Sequence, residues 1–340
     1  MIDVSVVGAT GFTGTELVRI LLSHPGANIK HITAGREKEE RKSISLISPS
    51  LKEFDLPLES FDDETIKKIN TTSDVVFLCL PNGQAHKIAD KFSAKIIDLS
   101  ADFRLKDLKL YHSVYGFSHE NEQLLNKAVY GLPEIFRTEI SKAEIVANPG
   151  CYPTAFILAL YPLFKNFEIS SIFVDAKSGV TGAGRKLRSD LAFSHISENI
   201  QVYSSFEHRH IPEMIQIFSD YSFEFGFAAQ LIPAKRGILE TIWITLKDAI
   251  SEKDLQKAYS NYSSEFFVDV DNSKLPDISS VVGTNICRLG FRLSSSGRTV
   301  LVVSVIDNLI KGAAGQAIQN MNLMFGNDET LGLELIPHII

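Results

Sequence analysis

Of the three cysteines in this chain, Cys151 stands where a thiol is activated. It follows a Pro-Gly turn in the string Asn148-Pro149-Gly150-Cys151-Tyr152-Pro153-Thr154, just ahead of a helical run over residues 155–163. Backbone N–H groups at a helix N-terminus have no intrahelical partner, so they and the helix dipole favour a thiolate there. Cys79 lies inside the apolar run at residues 74–80 and Cys287 inside a strand-like segment, so both read as buried, inert thiols. A thiolate nucleophile needs a proton partner. The string Glu207-His208-Arg209-His210-Ile211-Pro212-Glu213 offers two imidazoles two residues apart, which would share a face on an extended segment. Such a set can form a thioester by attack on an acyl phosphate, and hydride from a nicotinamide then leaves an aldehyde.

The cofactor for that chemistry has a candidate loop. Gly8, Thr10, Gly11, Phe12, Thr13 and Gly14 lie in Gly8-Ala9-Thr10-Gly11-Phe12-Thr13-Gly14, after a short β-rich run and before a helical pattern. Glycines let the backbone turn sharply and approach a pyrophosphate, and the helix N-terminus presents positive N–H groups to it. A ligand-free glycine turn is the competing reading of such a loop taken alone. Where a NAD-binding chain usually carries an acidic residue, this one has Thr33-Ala34-Gly35-Arg36-Glu37-Lys38, and Arg36 favours the 2′-phosphate of NADP. Ser178-Gly179-Val180-Thr181-Gly182-Ala183-Gly184-Arg185 could line a nicotinamide or receive a leaving phosphate, with Ser178, Gly179 and Gly182 as cofactor contacts and Arg185 as a substrate contact. Arg104, in Ser100-Ala101-Asp102-Phe103-Arg104, follows a strand at the position where α/β sheets bind ligands. It could clasp an anionic substrate group or form a structural ion pair, and Asn148 and Tyr203 complete the candidate substrate contacts.

These residues need elements to hold them. Strand patterns at residues 4–7, 28–34, 74–80 and 95–99 alternate with helical stretches, including 64–69 and 86–92, which predicts a parallel, helix-covered sheet. Beyond about residue 148 the strand candidates at 171–176, 227–232, 239–246 and 299–305 predict an antiparallel sheet in a second domain. A last helix over 311–325 carries an apolar face that needs a partner in the first domain. The 340 residues exceed what one core usually supports, in line with two domains. A formal charge of −7 without a basic run argues against nucleic acid as a partner. Scattered cysteines argue against a disulfide framework and a zinc site, and the absence of a long apolar run or a signal-like start predicts a cytoplasmic protein without a membrane segment.

Read in order, the strings GATGFTG (8–14), LSADFR (99–104), YGLPE (130–134), NPGCYPTA (148–155), SGVTGAGR (178–185), HRHIPE (208–213), IPAKRGI (232–238), VVGTN (281–285) and IDNLIKGAAGQAIQNMN (306–322) span nearly the whole chain. In them the chain resembles the N-acetyl-γ-glutamyl-phosphate reductase family, arginine-pathway relatives of aspartate-semialdehyde dehydrogenase. The resemblance implies an α/β architecture: a Rossmann-type NADP-binding domain with a parallel sheet, residues 1–147 and 311–340, and an α+β catalytic and dimerisation domain with a mostly antiparallel sheet, residues 148–310. It also implies Cys151 as the thioester-forming nucleophile, His210 as the acid/base, His208 as a supporting residue at the substrate and Asn308 near the nicotinamide. It further implies an acyl-phosphate substrate, release of inorganic phosphate, and a homodimer or homotetramer paired through the second-domain sheet. Ile211 departs from the threonine the family often has there. The alternatives are a homologous reductase of a carrier-linked aminoadipyl phosphate, an aspartate-semialdehyde dehydrogenase, which HRHIPE and IDNLIKGAAGQ disfavour, and a non-catalytic NADP-binding regulator, which the presence of both Cys151 and His210 disfavours.

Overall fold

The computed structural model describes residues 1–34, 43–54 and 56–334. The chain forms two compact units, Met1–Pro149 with Ala313–Glu334, and Gly150–Gly312. Both crossings fall two residues later than the 147/148 and 310/311 boundaries expected from the sequence, so Asn148 belongs to the first unit and Lys311 to the second. Arg36 and the tail 335–340 lie outside the described residues.

The first unit is built on a six-stranded, wholly parallel sheet: β1 (Ile2–Val7), β2 (Ala27–Thr33), β3 (Val75–Leu78), β4 (Lys95–Asp98), β5 (Val129–Tyr130) and β6 (Ile145–Ala147), in the order β2-β1-β3-β4-β6-β5. Val4, Val6, Val7 and all of Val75–Leu78 are buried, so apolar residues at successive positions fill both faces of the central strands. The order reverses beside β1, which makes the carboxyl ends of β1 and β3 a topological switch point where such sheets bind ligands. Where a helix over 86–92 was expected, two 3-10 turns form at Ala85–Lys87 and Ala89–Lys91. The turns close by i to i−3 bonds, Ile88 N–H to Ala85 O at 3.1 Å and Phe92 N–H to Ala89 O at 3.3 Å, and the His86 N–H donates to the Asp102 carboxylate at 3.1 Å.

The helix Gly315–Met324 belongs to this first unit and is fastened by polar side chains. Gln316 Nε2 and Asn320 Nδ2 each donate to Gly131 O at 2.9 Å, Asn320 also donates to Asn148 Oδ1 at 3.1 Å, and Gln319 donates to Glu134 at 3.1 Å. Gly131 has to be glycine, because a Cβ there would come within 2.5 Å of Asn320 Nδ2. The strings YGLPE and GQAIQNMN are therefore two halves of one buried polar contact. Ahead of this helix, where a continuous helix was expected, Ile310–Ala314 forms a π turn, with Gly312 N–H donating to Asp307 O at 3.0 Å.

The second unit carries a seven-stranded mixed sheet: β7 (Ile169–Gly179), β8 (Gln201–Tyr203), β9 (Glu224–Ile232), β10 (Ile238–Leu246), β11 (Val268–Val270), β12 (Cys287–Leu293) and β13 (Thr299–Ile306), ordered β11-β12-β13-β10-β7-β9-β8. Most pairs are antiparallel, but β7 runs parallel to β9 and β11 to β12. On β10 the residues alternate: Ile238, Glu240, Ile242 and Ile244 are buried, while Trp243 between them is 50% exposed. The helix Cys151–Asn166 packs on the buried face, and Ser304 Oγ of β13 donates to its Ala155 O at 3.0 Å.

Candidate active site

In the first unit the helix Phe12–Ser23 starts directly from the glycine loop, and no side chain caps its N-terminus. Gly8 has φ +87°, and a Cβ there would collide with Cys79 O, while a Cβ on Gly14 would lie 2.5 Å from Gly8 O. Among the described residues, a Cβ on Gly11 would meet nothing within 4 Å. Two glycines thus fold the loop tightly and the third lines open space beside helical N–H groups, an arrangement that fits a dinucleotide pyrophosphate. The thiol of Cys79 is pushed up by burial and by the Asp98 charge, and Cys287 is fully buried with Sγ 3.6 Å from Ser304 Oγ, so neither is an activated nucleophile.

Arg104 and Asn148 meet at the carboxyl ends of β4 and β6. Arg104 Nε donates to Asn148 O at 2.8 Å and Nη2 to Leu99 O at 3.0 Å, so part of the guanidinium holds backbone in place. The Asn148 amide donates to Ala313 O at 3.1 Å and accepts from Asn320, a structural use of a residue selected for substrate contact. Sequence reasoning missed the carboxylates beneath them. Asp102 accepts from Gly83 N at 2.7 Å and from His86 Nδ1 at 2.9 Å. Burial works to raise its pKa, but these bonds more than offset that and hold it below the usual carboxylate range. Asp98 is pushed up to about 7 by burial and by the neighbouring Asp102 charge. The alternation of Asp98, Ser100, Asp102 and Arg104 along the chain was the available signal.

In the second unit Cys151 is the first residue of its 16-residue helix, with Gly150 as N-cap at φ −68°, ψ 155°. The helix therefore begins at the thiol itself, earlier than the expected run from 155, because Pro153 is tolerated in a first turn. Gly312 of the π turn packs on this residue, and a Cβ at 312 would come within 2.7 Å of Cys151 Cβ. His208 and His210 lie on a turn, not on the strand expected, and His210 is the N-cap of the helix Ile211–Gln216. The φ of +61° at Phe206 and the Pro at 212 explain why no strand continues here. The turn still brings the two imidazoles together, with ring centroids 4.9 Å apart. Their rings stand edge-on to Tyr152, next to the nucleophile, at 5.2 and 5.9 Å. His208 Nδ1 accepts from the His210 N–H at 3.2 Å, and burial, with the Arg209 charge, pushes the His208 pKa down to about 4. His208 is therefore neutral at pH 7 and carries its proton on Nε2. Tyr152 and Tyr203 share a hydroxyl hydrogen bond at 3.2 Å, and burial raises the pKa of both phenols. Tyr152 was missed as a site residue, although its place beside Cys151 was visible.

Ser178 and Gly179 end β7, and Val180–Ala183 form a 3-10 turn that leads to the exposed Arg185. Asn308 Nδ2 donates to Thr181 Oγ1 at 3.0 Å and Asn308 Oδ1 accepts from Gly237 N at 2.7 Å, so this side chain locks the glycine loop to the segment before β10. A Cβ on Gly179 would lie 2.8 Å from Arg236 N, and one on Gly182 2.8 Å from Ser178 Oγ.

The nucleophile helix also carries Pro162 in its interior. Its missing N–H releases the carbonyl of Leu158, and Tyr262 Oη donates there at 2.7 Å while Tyr259 Oη donates to Ala159 O at 2.6 Å. Tyr262→Phe is expected to lower unfolding stability by about 1–2 kcal/mol, since it leaves that buried carbonyl unsatisfied. Urea denaturation checks this, and Pro162→Ala, which returns an N–H to the helix, should make the Tyr262→Phe change less costly.

A parallel nucleotide-binding sheet joined in one chain to a mixed sheet with a cysteine-headed helix defines a semialdehyde dehydrogenase. Residues 3–143 match the family model described as the semialdehyde dehydrogenase NAD binding domain, and residues 151–308 match the semialdehyde dehydrogenase dimerisation domain. N-acetyl-gamma-glutamyl-phosphate reductases of Caldicellulosiruptor saccharolyticus and Ehrlichia chaffeensis are each 42% identical to this chain, and that of Alkaliphilus metalliredigens 43%, over 99% of both chains in every case. The chain belongs to the N-acetyl-γ-glutamyl-phosphate reductase family. Among solved structures, aspartate semialdehyde dehydrogenase II of Vibrio cholerae shares the fold at TM-score 0.71 and 16% identity, covering 96% of this chain and 98% of that one. The Candida albicans aspartate semialdehyde dehydrogenase solved with NADP has a TM-score of 0.67 at 16% identity, with 96% and 98% covered. The family makes the chain an oxidoreductase with a nicotinamide dinucleotide as cofactor. No helix among the described residues is long and apolar enough to cross a membrane.

Proposed function

We propose that this enzyme reduces N-acetyl-γ-glutamyl phosphate to N-acetylglutamate 5-semialdehyde with NADPH, in the cytoplasm, as a step of arginine synthesis. The Cys151 thiolate attacks the γ-acyl carbon, the carbon–oxygen bond to phosphate breaks, and inorganic phosphate leaves, giving a thioester. A bound nicotinamide supplies the hydride that converts the thioester carbon to the aldehyde oxidation level. As the carbon–sulfur bond breaks, Cys151 takes back the electron pair as thiolate. His210 is the acid/base that moves protons to and from the oxygens of the reacting group, and neutral His208 donates a hydrogen bond from Nε2. Arg104 and Arg185 are the candidate cations for the phosphate and carboxylate, and Asn148 and Tyr203 are further candidate substrate contacts. The loop Gly8, Thr10, Gly11, Phe12, Thr13 and Gly14 receives the dinucleotide phosphates, Arg36 the 2′-phosphate, and Ser178, Gly179, Gly182 and Asn308 the nicotinamide end. The observation that carries this reading is a cysteine at the first position of a long helix whose next residue, Tyr152, packs edge-on to two imidazoles and shares a hydrogen bond with Tyr203.

The assembly is a homodimer or homotetramer paired through the outer face of the second-unit sheet. Phe173 on β7 and Trp243 on β10 support this, being register partners that are 43% and 50% exposed. The test of function runs the reaction backwards, with N-acetylglutamate semialdehyde, phosphate and NADP⁺, following NADPH absorbance. Activity should require phosphate and fall strongly with NAD⁺. Faster turnover of aspartate semialdehyde or of a carrier-linked aminoadipate semialdehyde would overturn the substrate assignment.

A further inference from the structure

We infer that Glu213 is a positioning residue that fixes the nucleophile's turn to the helix carrying the acid/base, so that Cys151 and His210 are held as one unit. The inference rests on the roles proposed above for those two residues. Glu213 is fully buried, and its Oε1 accepts from the Gly150 N–H at 2.7 Å. Gly150 is the N-cap of the Cys151 helix, so this N–H lies outside that helix's own ladder. Glu213 is also the third residue of the helix Ile211–Gln216, whose N-cap is His210. A glutamate at that position ordinarily turns back to the N–H of its own N-cap. Here the His210 N–H is given to His208 Nδ1, and Glu213 Oε1 reaches across to the Gly150 N–H. One side chain therefore joins the residue before the nucleophile to the residue three after the acid/base. The Gly150 N–H lies one residue before the nucleophile, so the bond sets where that residue sits. The value of Glu213 to the reaction is therefore geometric, in the bond it accepts.

The geometry can be tested from both ends of that bond. Glu213→Ala removes the acceptor and should lower kcat by about 100-fold, the scale of an ångström-level misplacement. KM should change far less, because no substrate contact is lost. Glu213→Gln keeps an oxygen for Gly150 and should restore most of kcat. Gly150→Pro deletes the donor while suiting the backbone, since φ there is −68°. Its kcat should fall as in Glu213→Ala, and the double variant should be no worse than either single one. Full activity in Glu213→Ala, equal losses in the Gln and Ala variants, or additive losses in the double variant would each overturn the inference. If Cys151→Ser stays active, the roles proposed for the site fail; if Cys151→Ser is dead and Glu213→Ala is not, only the positioning role fails.

Discussion

Cys151→Ser is expected to lower kcat for NADPH formation from N-acetylglutamate semialdehyde by roughly 10⁴-fold or more, while binding of the dinucleotide is unchanged. The size of the effect follows from what a helix terminus can do. Its partial positive charge stabilises an adjacent anion by at most a few kcal/mol, enough to ionise a thiol whose ordinary pKa is about 8.5 but far too little for a serine hydroxyl. The replacement keeps the helix and its packing, since serine is smaller than cysteine and the residue packed on it, Gly312, has no side chain. Steady-state kinetics of both proteins, with NADP⁺ binding followed by calorimetry, check the expectation. Iodoacetamide should inactivate the wild type in a single step and leave Cys287, which is fully buried, unmodified. A serine variant with a substantial rate would show that the acyl group never passes through this sulfur.

How much of this site could be read from the sequence depended on whether a residue works through local pattern or through tertiary contact. The loop from Gly8 to Gly14 and the cysteine at the start of a helix are local devices, and strings of a few residues carry them whole. Strands β5 and β6, with two and three residues, are too short to show a period, and the helices around them went unread. Alternate spacing suits a strand, so the sequence alone puts the two histidines on one. The chain instead turns at Phe206, and His210 caps a helix, so the pair meets by a different route. Asp102, Glu213 and Tyr152 lay inside strings already singled out. Their partners are 16, 63 and 51 residues away, which no spacing rule reveals. Asn308 and Asn148 illustrate the reverse case. Both were selected for ligand contact, and their amides hold loops together, so the family strings reflect folding as well as chemistry.

Glu240 is where local pattern and chemistry disagree most, and its replacement should give the largest gain in stability. Alternation along β10 puts it on the core face between Ile238 and Ile242, opposite Ser304 of β13 and Ala176 of β7. It is fully buried, and neither carboxylate oxygen has a hydrogen-bond partner among the described residues. Burial alone drives its pKa well above the ordinary glutamate value, which favours the protonated carboxyl in the folded chain. Because the folded pKa is raised, stability is intact below the unfolded pKa of about 4.5 and is lost as pH rises towards the folded one, at about 1.4 kcal/mol per pH unit. Glu240→Met removes both the pH-dependent loss and the unsatisfied oxygens; the oxygens alone put the gain at about 1–3 kcal/mol, and the gain should be larger at pH 8 than at pH 5. Urea midpoints of the two proteins at both pH values decide it; a gap that fails to widen as pH rises would mean that the carboxyl is already ionised. The neutral form also suits the site. Ser304, its register partner on β13, donates to Ala155 of the nucleophile helix, and a neutral carboxyl adds no charge to the sheet that packs on that helix.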